Sequence, residues 1–128
     1  MKKTQFKETY PIYTIEYQKS ELKQDSVEAL IKYFKDKIDE HPKAVFITTF
    51  DHYAHTTKIE GDISPDIQAA QHIVFCFGMH LPAPGAMAVR PRSIGVTELE
   101  NSFVINFMEA PNPVANEAME NWVKALVA

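Results

Sequence analysis

The chain has 128 residues, of which 45% are hydrophobic and 23% are charged. These proportions are typical of a globular protein and exclude a disordered, collagen-like or coiled-coil chain. The length predicts one domain that covers residues 1–128. No sequence motif identifies an activity.

The charge distribution and the single cysteine limit the partners and the compartment. The net charge is −4, and residues 93–128 carry Lys124 alone against five acidic residues. No part of the chain is strongly basic by count, which argues against nucleic acid as the main partner. The longest apolar run, residues 73–79, is too short to cross a membrane. With Cys76 alone, no intrachain disulfide is possible, and we expect a cytoplasmic protein.

The first elements along the chain are a strand and a helix. The strand is predicted over Thr9–Gln18, which is rich in β-branched and aromatic residues. Asp25 is the expected helix N-cap with Glu28 as its capping-box partner. The helix is expected to end near His41-Pro42, because the residue before a proline avoids helical geometry. Its apolar stripe consists of Val27, Leu30, Ile31, Phe34 and Ile38.

The rest of the chain is predicted as four strands and a second helix. The strands are Ala44–Phe50, Ile73–Phe77, Ile94–Leu99 and Ser102–Met108, with a turn at Glu100-Asn101 between the last two. Ser64 and Pro65 predict the start of a short helix before the second of these strands. Asn112 and Pro113 begin the second long helix by the same capping pattern. Its apolar positions are Val114, Ala118, Met119, Trp122, Val123 and Leu126.

This order predicts an α+β two-layer sandwich. A mostly antiparallel sheet of about five strands, with both helices on one face, would bury both apolar stripes. Both alternating sets of side chains in residues 103–108 are largely apolar, so the other face of the sheet also needs cover. A second subunit would supply that cover, and the sequence therefore predicts a homodimer.

Histidines near two strand ends are the first candidate site. Asp51, His52 and His55 follow the strand Ala44–Phe50, and the two histidines would share one face of a helical turn. Such a pair can ligate a metal, but two histidines lack the third and fourth ligands of a metal site, so polar residues that end a strand and cap a turn are the default interpretation. His80 follows the next strand, Ile73–Phe77. If these two strands are parallel, His52 and His55 approach His80; if they are antiparallel, the pair approaches His72.

The second candidate is the long segment Gly78–Arg92, which is rich in proline and contains both arginines of the chain, Arg90 and Arg92. Loops of this length inside a compact domain are usually functional. Apolar residues beside a guanidinium pair suit a small organic anion, since Arg binds carboxylate or phosphate through two hydrogen bonds. The alternative is that the loop packs against a partner subunit.

The segments Val45–His52 and Phe75–Gly78 resemble the bacterial and archaeal family of uncharacterised domains numbered three hundred and two. The resemblance covers residues 26–110. It implies a small α+β fold, often dimeric, with helices against one antiparallel sheet. It also suggests Asp51, His52, Phe77 and Gly78 as site residues without implying an activity.

We expect a non-catalytic module that binds a partly apolar, anionic small molecule, although the sequence leaves catalysis and any cofactor open. The expected ligand-binding residues are Asp51, His52, His55, Phe77, Gly78, His80, Arg90 and Arg92. One alternative is a metal protein or metal-dependent enzyme with His52, His55 and His80 as ligands and Cys76 or Asp51 as a further ligand, assembled by parallel strands or by a dimer. Another is a protein-interaction domain without a pocket.

Overall fold

A computed structural model describes residues 1–78 and 80–127, and it shows an α+β arrangement with one antiparallel six-stranded sheet. The spatial strand order is β1-β2-β6-β5-β4-β3. The strands are β1 (Lys2–Phe6), β2 (Tyr10–Gln18), β3 (Val45–Asp51), β4 (Ala69–Cys76), β5 (Arg92–Glu98) and β6 (Ser102–Met108). The helices are α1 (Val27–Glu40), α2 (His52–Lys58) and α3 (Pro113–Lys124).

The two long helices cover one face of the sheet, as the sequence predicts. All five residues of the predicted α1 stripe are buried, and they meet Ile73, Phe75 and Ile105 from the strands in one core. From α3, Met119 and Val123 are buried in the same core. Val114, which we expected in the α3 stripe, is instead exposed, because in the first turn of the helix Ala115 and Asn116 are the residues that face the core.

The ends of the helices largely agree with the predicted capping pattern. Asn112 caps α3, since its side chain accepts the Val114 N–H at 2.9 Å. The N-cap of α1 is Ser26, whose hydroxyl accepts the Ala29 N–H at 3.0 Å, so the prediction of Asp25 as N-cap is wrong by one residue. Glu28 does not complete a capping box, because with Ser26 as N-cap it occupies the second helical position instead of the third. Its carboxylate accepts a hydrogen bond from Gln71 on β4.

One strand and one α-helix were not expected, and one predicted short helix is absent. β1 is a sixth strand that pairs with β2 at the edge of the sheet. α2 follows β3 directly, with Asp51 as its N-cap. The short helix expected at Ser64 is a single turn, closed by the Ile67 N–H to the Ser64 carbonyl at 3.0 Å. Only four residues separate Ser64 from β4, which leaves no room for a helix.

The second face of the sheet, opposite α1 and α3, is called the open face below. It presents the even-numbered residues of β4 and β6, such as His72 and Asn106, because side chains alternate along a strand. α2 lies against part of this face at β4. α2 therefore occupies the side of the sheet that we expected to be free of helices.

The pairing of β3 with β4 decides which predicted site residues meet. The two strands are antiparallel, with Asp51 opposite Gln71 and Val45 opposite Cys76. The end of β3 therefore lies beside the start of β4, while Gly78 lies beyond the far end of β4. Of the two strand directions that the sequence left open, the antiparallel one is observed.

No helix among the described residues is both long and apolar enough to cross a membrane.

Candidate functional site

A cavity of about 690 Å³ lies at the end of the sheet where β4 ends and β5 begins. Residues that follow α1 form one side, and the connection from β6 to α3 forms another. The segment between β4 and β5, which contains a 3₁₀ helix at Pro84–Val89, forms the third. Volumes of this size accept drug-sized organic molecules.

The cavity gathers five of the eight predicted ligand-binding residues, namely Phe77, Gly78, His80, Arg90 and Arg92. Most of the predicted loop Gly78–Arg92 therefore forms a wall of the cavity, although its residue Met79 lies outside the described part of the chain. Cys76 also lines the cavity, and its sulfur accepts the Gly78 N–H at 3.3 Å.

The other three predicted residues, Asp51, His52 and His55, do not line this cavity. They lie beside the start of β4, roughly 20 Å along the strand from Gly78. The expectation that the Asp51–His55 turn and the loop build one pocket is wrong, because β3 and β4 are antiparallel. Asp51 accepts the Ala54 N–H at 2.8 Å as the cap of α2.

Arg90 lies across the backbone at Gly78. A Cβ atom added to Gly78 would be 3.0 Å from the Arg90 Nη1 atom and 3.1 Å from the Cys76 sulfur. A side chain at position 78 would therefore push the guanidinium away. Within the described residues, the guanidinium of the half-buried Arg90 has no carboxylate partner.

Arg92 is held differently, although it lines the same cavity. Its guanidinium donates to the carbonyl of Val89 at 3.3 Å and to the carbonyl of Met108. Its Nε atom is buried and has no hydrogen-bond partner among the described residues. Burial lowers the pKa of Arg92, because the charged guanidinium loses contact with water. Arg92 thus joins the end of the loop to the end of β6.

The electrostatic character of the cavity opposes that of the whole chain. The net charge is −4. The described residues that line the cavity nevertheless include no Asp or Glu, whereas Lys43, Arg90 and Arg92 are cationic and His41 and His80 are imidazoles. An anion is attracted to such a surface, and an unpaired, partly desolvated guanidinium is stabilised when an anion arrives.

Aromatic packing fixes the shape of one wall. Phe77 stacks on Trp122 with ring centroids 5.7 Å apart and an interplanar angle of 16°. The ring of His41 meets both of them edge-on, at 5.3 Å from Phe77 and 6.0 Å from Trp122. Because Trp122 is buried in the helix layer, this wall is part of the core rather than of a loop.

The histidines at the other end of the sheet form a separate pair. The His72 Nδ1 and His52 Nε2 atoms face each other within hydrogen-bond distance, and the ring centroids are 4.5 Å apart. Burial lowers the pKa of both histidines, and the nearby His55 lowers that of His52 further. This is the contact expected for antiparallel strands.

The metal ligand set proposed from the sequence does not converge. Cys76 and His80 line the cavity, whereas His52 and His55 lie at the opposite end of β4. In residues 1–78 and 80–127, no three His, Cys, Asp or Glu side chains are grouped so that they could hold a metal ion.

Sequence reasoning missed part of the cavity wall. The lining residues that were not predicted as site residues are His41, Lys43, Ala110, Pro111, Asn112, Val114 and Ala115. The Asn112-Pro113 cap was a usable signal, because it places the start of α3 directly after β6, the neighbour of β5. His41 carried no comparable signal beyond its position at the end of α1.

Comparison with known proteins corrects the resemblance stated above. No curated protein matches the sequence. The family of uncharacterised domains numbered three hundred and two is not the family that matches, so the resemblance stated from the sequence is wrong. The segments around Asp51-His52 and Phe77-Gly78 are too short to identify a family. A different family model matches the whole of residues 1–128. The chain belongs to the family of unknown function DUF6858.

Proposed function

We propose that the protein binds a small, partly apolar organic anion in the cavity lined by Phe77, Arg90 and Arg92, and that it does so without catalysis. The lining combines apolar side chains, such as Val89 and Val114, with two guanidinium groups. A mainly apolar pocket with a few charged groups is the usual form of a small-molecule site.

One observation carries the proposal: Arg90 is half-buried at the cavity and has no carboxylate partner among the described residues. Removing a charge from water without pairing it is unfavourable. A bound anion would provide the missing partner, and Arg is the residue that best fits an anion with two parallel oxygens.

The test is a comparison of organic acids with neutral analogues by isothermal titration calorimetry. We expect Arg90→Ala to weaken binding of the acids by about tenfold or more, and binding of the neutral analogues much less. Lys58→Ala is the matched control, because it removes one exposed positive charge from α2. Equal losses for acids and neutral analogues would contradict the charge role of Arg90.

Two further parts of the proposal concern the state of the protein in the cell. We propose a homodimer that forms through the open face, where Val74 and Val104 are only half-buried and Met108 is exposed. We also propose a cytoplasmic location, which the single cysteine supports.

A further inference from the structure

We infer that Gly78 is a positioning residue for the anion, because the space left by its missing side chain holds the Arg90 guanidinium at the cavity. The Gly78 backbone and the Cys76 sulfur are together called the seat below. The inference rests on the proposed function and deepens it, since it assigns the preference of the cavity for anionic over neutral ligands to the seat.

The guanidinium of Arg90 occupies the space in which any other residue at position 78 would place its side chain. A Cβ atom built on Gly78 is 3.0 Å from the Arg90 Nη1 atom and 3.4 Å from the Arg90 Cζ atom. The same Cβ atom is 3.1 Å from the Cys76 sulfur. Non-bonded carbon atoms pack best at about 3.5–4.0 Å, so an added methyl group would not fit without a shift. The missing side chain therefore allows the guanidinium to approach the backbone this closely.

Backbone conformation does not explain the glycine at position 78. None of the glycines in the described part of the chain has a positive φ, so Gly78 does not adopt the left-handed conformation that other residues avoid. Its backbone is therefore compatible with alanine, and the obstacle to a side chain is the contact with Arg90 and Cys76. A substitution at Gly78 consequently tests that contact.

The pairing of β4 with β5 brings Arg90 to the seat. Phe75 on β4 lies opposite Arg92 on β5. Gly78 follows the end of β4, and Arg90 precedes the start of β5. The two residues therefore meet just beyond the paired strands, because antiparallel neighbours run in opposite directions from the same end of the pair.

The seat is held in place, whereas the guanidinium lies at the end of a flexible side chain. Gly78 donates its N–H to the Cys76 sulfur at 3.3 Å. Phe77, which lies between them, stacks on the buried Trp122 with ring centroids 5.7 Å apart. Arg90 has no carboxylate partner among the described residues that would hold its guanidinium. A methyl group at position 78 would therefore displace the guanidinium and leave the seat where it is.

A guanidinium that rests on the seat before the ligand arrives loses less freedom when an anion binds. Ordering one flexible side chain at a binding site corresponds to about a three- to tenfold change in affinity. Displacement of Arg90 should cost an anionic ligand about this factor, whereas a neutral ligand does not pair with the charge and should lose little. Arg92 would stay in place, because its guanidinium donates to the carbonyls of Val89 and Met108.

The experiment compares Gly78→Ala with Gly85→Ala as the matched control, because Gly85 lines the same cavity but a Cβ atom built on it meets no atom within 4 Å. Titration calorimetry with the full chain measures the Kd of 1-naphthylacetate and of the neutral 2-(1-naphthyl)ethanol. Gly78→Ala should raise the Kd of the acid about three- to tenfold and that of the alcohol less than about twofold. Gly85→Ala should change neither Kd by more than about twofold.

A double-mutant cycle with Arg90→Ala separates positioning from a purely structural effect. In a chain that carries Arg90→Ala, adding Gly78→Ala should leave the Kd of the acid unchanged, because the group that the methyl displaces is absent. A loss of the same size with and without Arg90 would overturn the inference, and so would equal losses for the acid and the alcohol. Circular dichroism checks the fold of each variant. If Gly78→Ala does not fold, Cys76→Ala/Gly78→Ala makes room on the sulfur side and is compared with Cys76→Ala instead.

Failure of the inference and failure of the proposed function give different results. If Arg90→Ala weakens binding of the acid about tenfold or more but Gly78→Ala leaves its Kd unchanged, the anion site stands and Gly78 does not position Arg90. If neither compound binds, or if Arg90→Ala leaves the Kd of the acid unchanged, the proposed function fails and the inference fails with it.

Discussion

The contact between His52 and His72 should make the stability of the folded chain depend on pH. When both rings are neutral, one facing nitrogen can donate its N–H to the other, whereas protonation of both rings would place two partly buried cations against each other. Burial lowers the pKa of both rings, the His52–His72 interaction lowers that of His72 further, and Asp51 partly offsets the shift at His52. The folded chain therefore favours the neutral pair.

This pair should make the protein less stable in mild acid. Both pKa values lie below the ordinary 6.5 in the folded chain, so the unfolded chain binds more protons as the pH falls through that value. The free energy of unfolding should fall between about pH 7 and pH 5, and His72→Gln should reduce that slope. Urea unfolding at several pH values measures how the free energy of unfolding changes with pH.

The matched control for this prediction is His80→Gln, which replaces an exposed histidine beside the cavity. We expect this variant to keep the wild-type dependence on pH. An unchanged slope in His72→Gln would show that the pair does not control the pH dependence of stability.

At the scale of residues, the sequence predicts which side chains carry charge and aromatic surface but not which of them remain unpaired. Arg90 and Arg92 stand two positions apart and look equivalent in the sequence. In the fold, Arg92 binds two carbonyls while Arg90 lies over Gly78. That difference depends on the position of Met108 on β6, which is remote along the chain.

At the scale of elements, the two residues before α1 give a direct test of capping. Ser26 accepts the Ala29 N–H at 3.0 Å, whereas the neighbouring Asp25 lies outside the cap. Ser26→Ala should lower the free energy of unfolding by about 1 kcal/mol, because a first-turn N–H loses its acceptor. Asp25→Ala should change it by less than about 0.5 kcal/mol. Urea unfolding of both variants measures the difference, and equal losses would place the cap elsewhere.

The elements that the sequence predicts are those with a clear apolar period, and the ones it misses lack that period. α1 and β6 have buried stripes at helical and alternating spacing. β1 reads Lys-Lys-Thr-Gln-Phe and is held mainly by its backbone pairing to β2. α2 has seven residues, none of them buried, so it carries no amphipathic signal. Its N-cap, Asp51, was the only indication available.

At the scale of the whole molecule, strand order and direction decide where the site lies. Neither follows from the composition of single elements, because α1 carries the chain from β2 across the sheet to β3 at the opposite edge. The antiparallel pairing of β3 and β4 then separates the histidines of α2 from the cavity. The sequence could therefore identify the residues of the cavity loop but not the partners that would share its pocket.

The open face leads to the prediction about assembly. Half-buried apolar side chains of β2, β4 and β6 lie there, and Met108 is 47% exposed. A second copy of the chain would remove this surface from water, and we expect light scattering to show a dimer at micromolar concentration. Met108→Glu places a charge on that face and should shift the protein toward the monomer.

The control for Met108→Glu is Val127→Glu, because Val127 is also 47% exposed but follows α3 on the helix side of the sheet. If the open face is the interface, this variant should remain dimeric, since a charge there lies in water in both states. A wild-type chain that is monomeric at micromolar concentration would refute the dimer. A dimer that dissociates with Val127→Glu and persists with Met108→Glu would move the interface to the helix layer, and the open face would then rely on α2 alone for its cover.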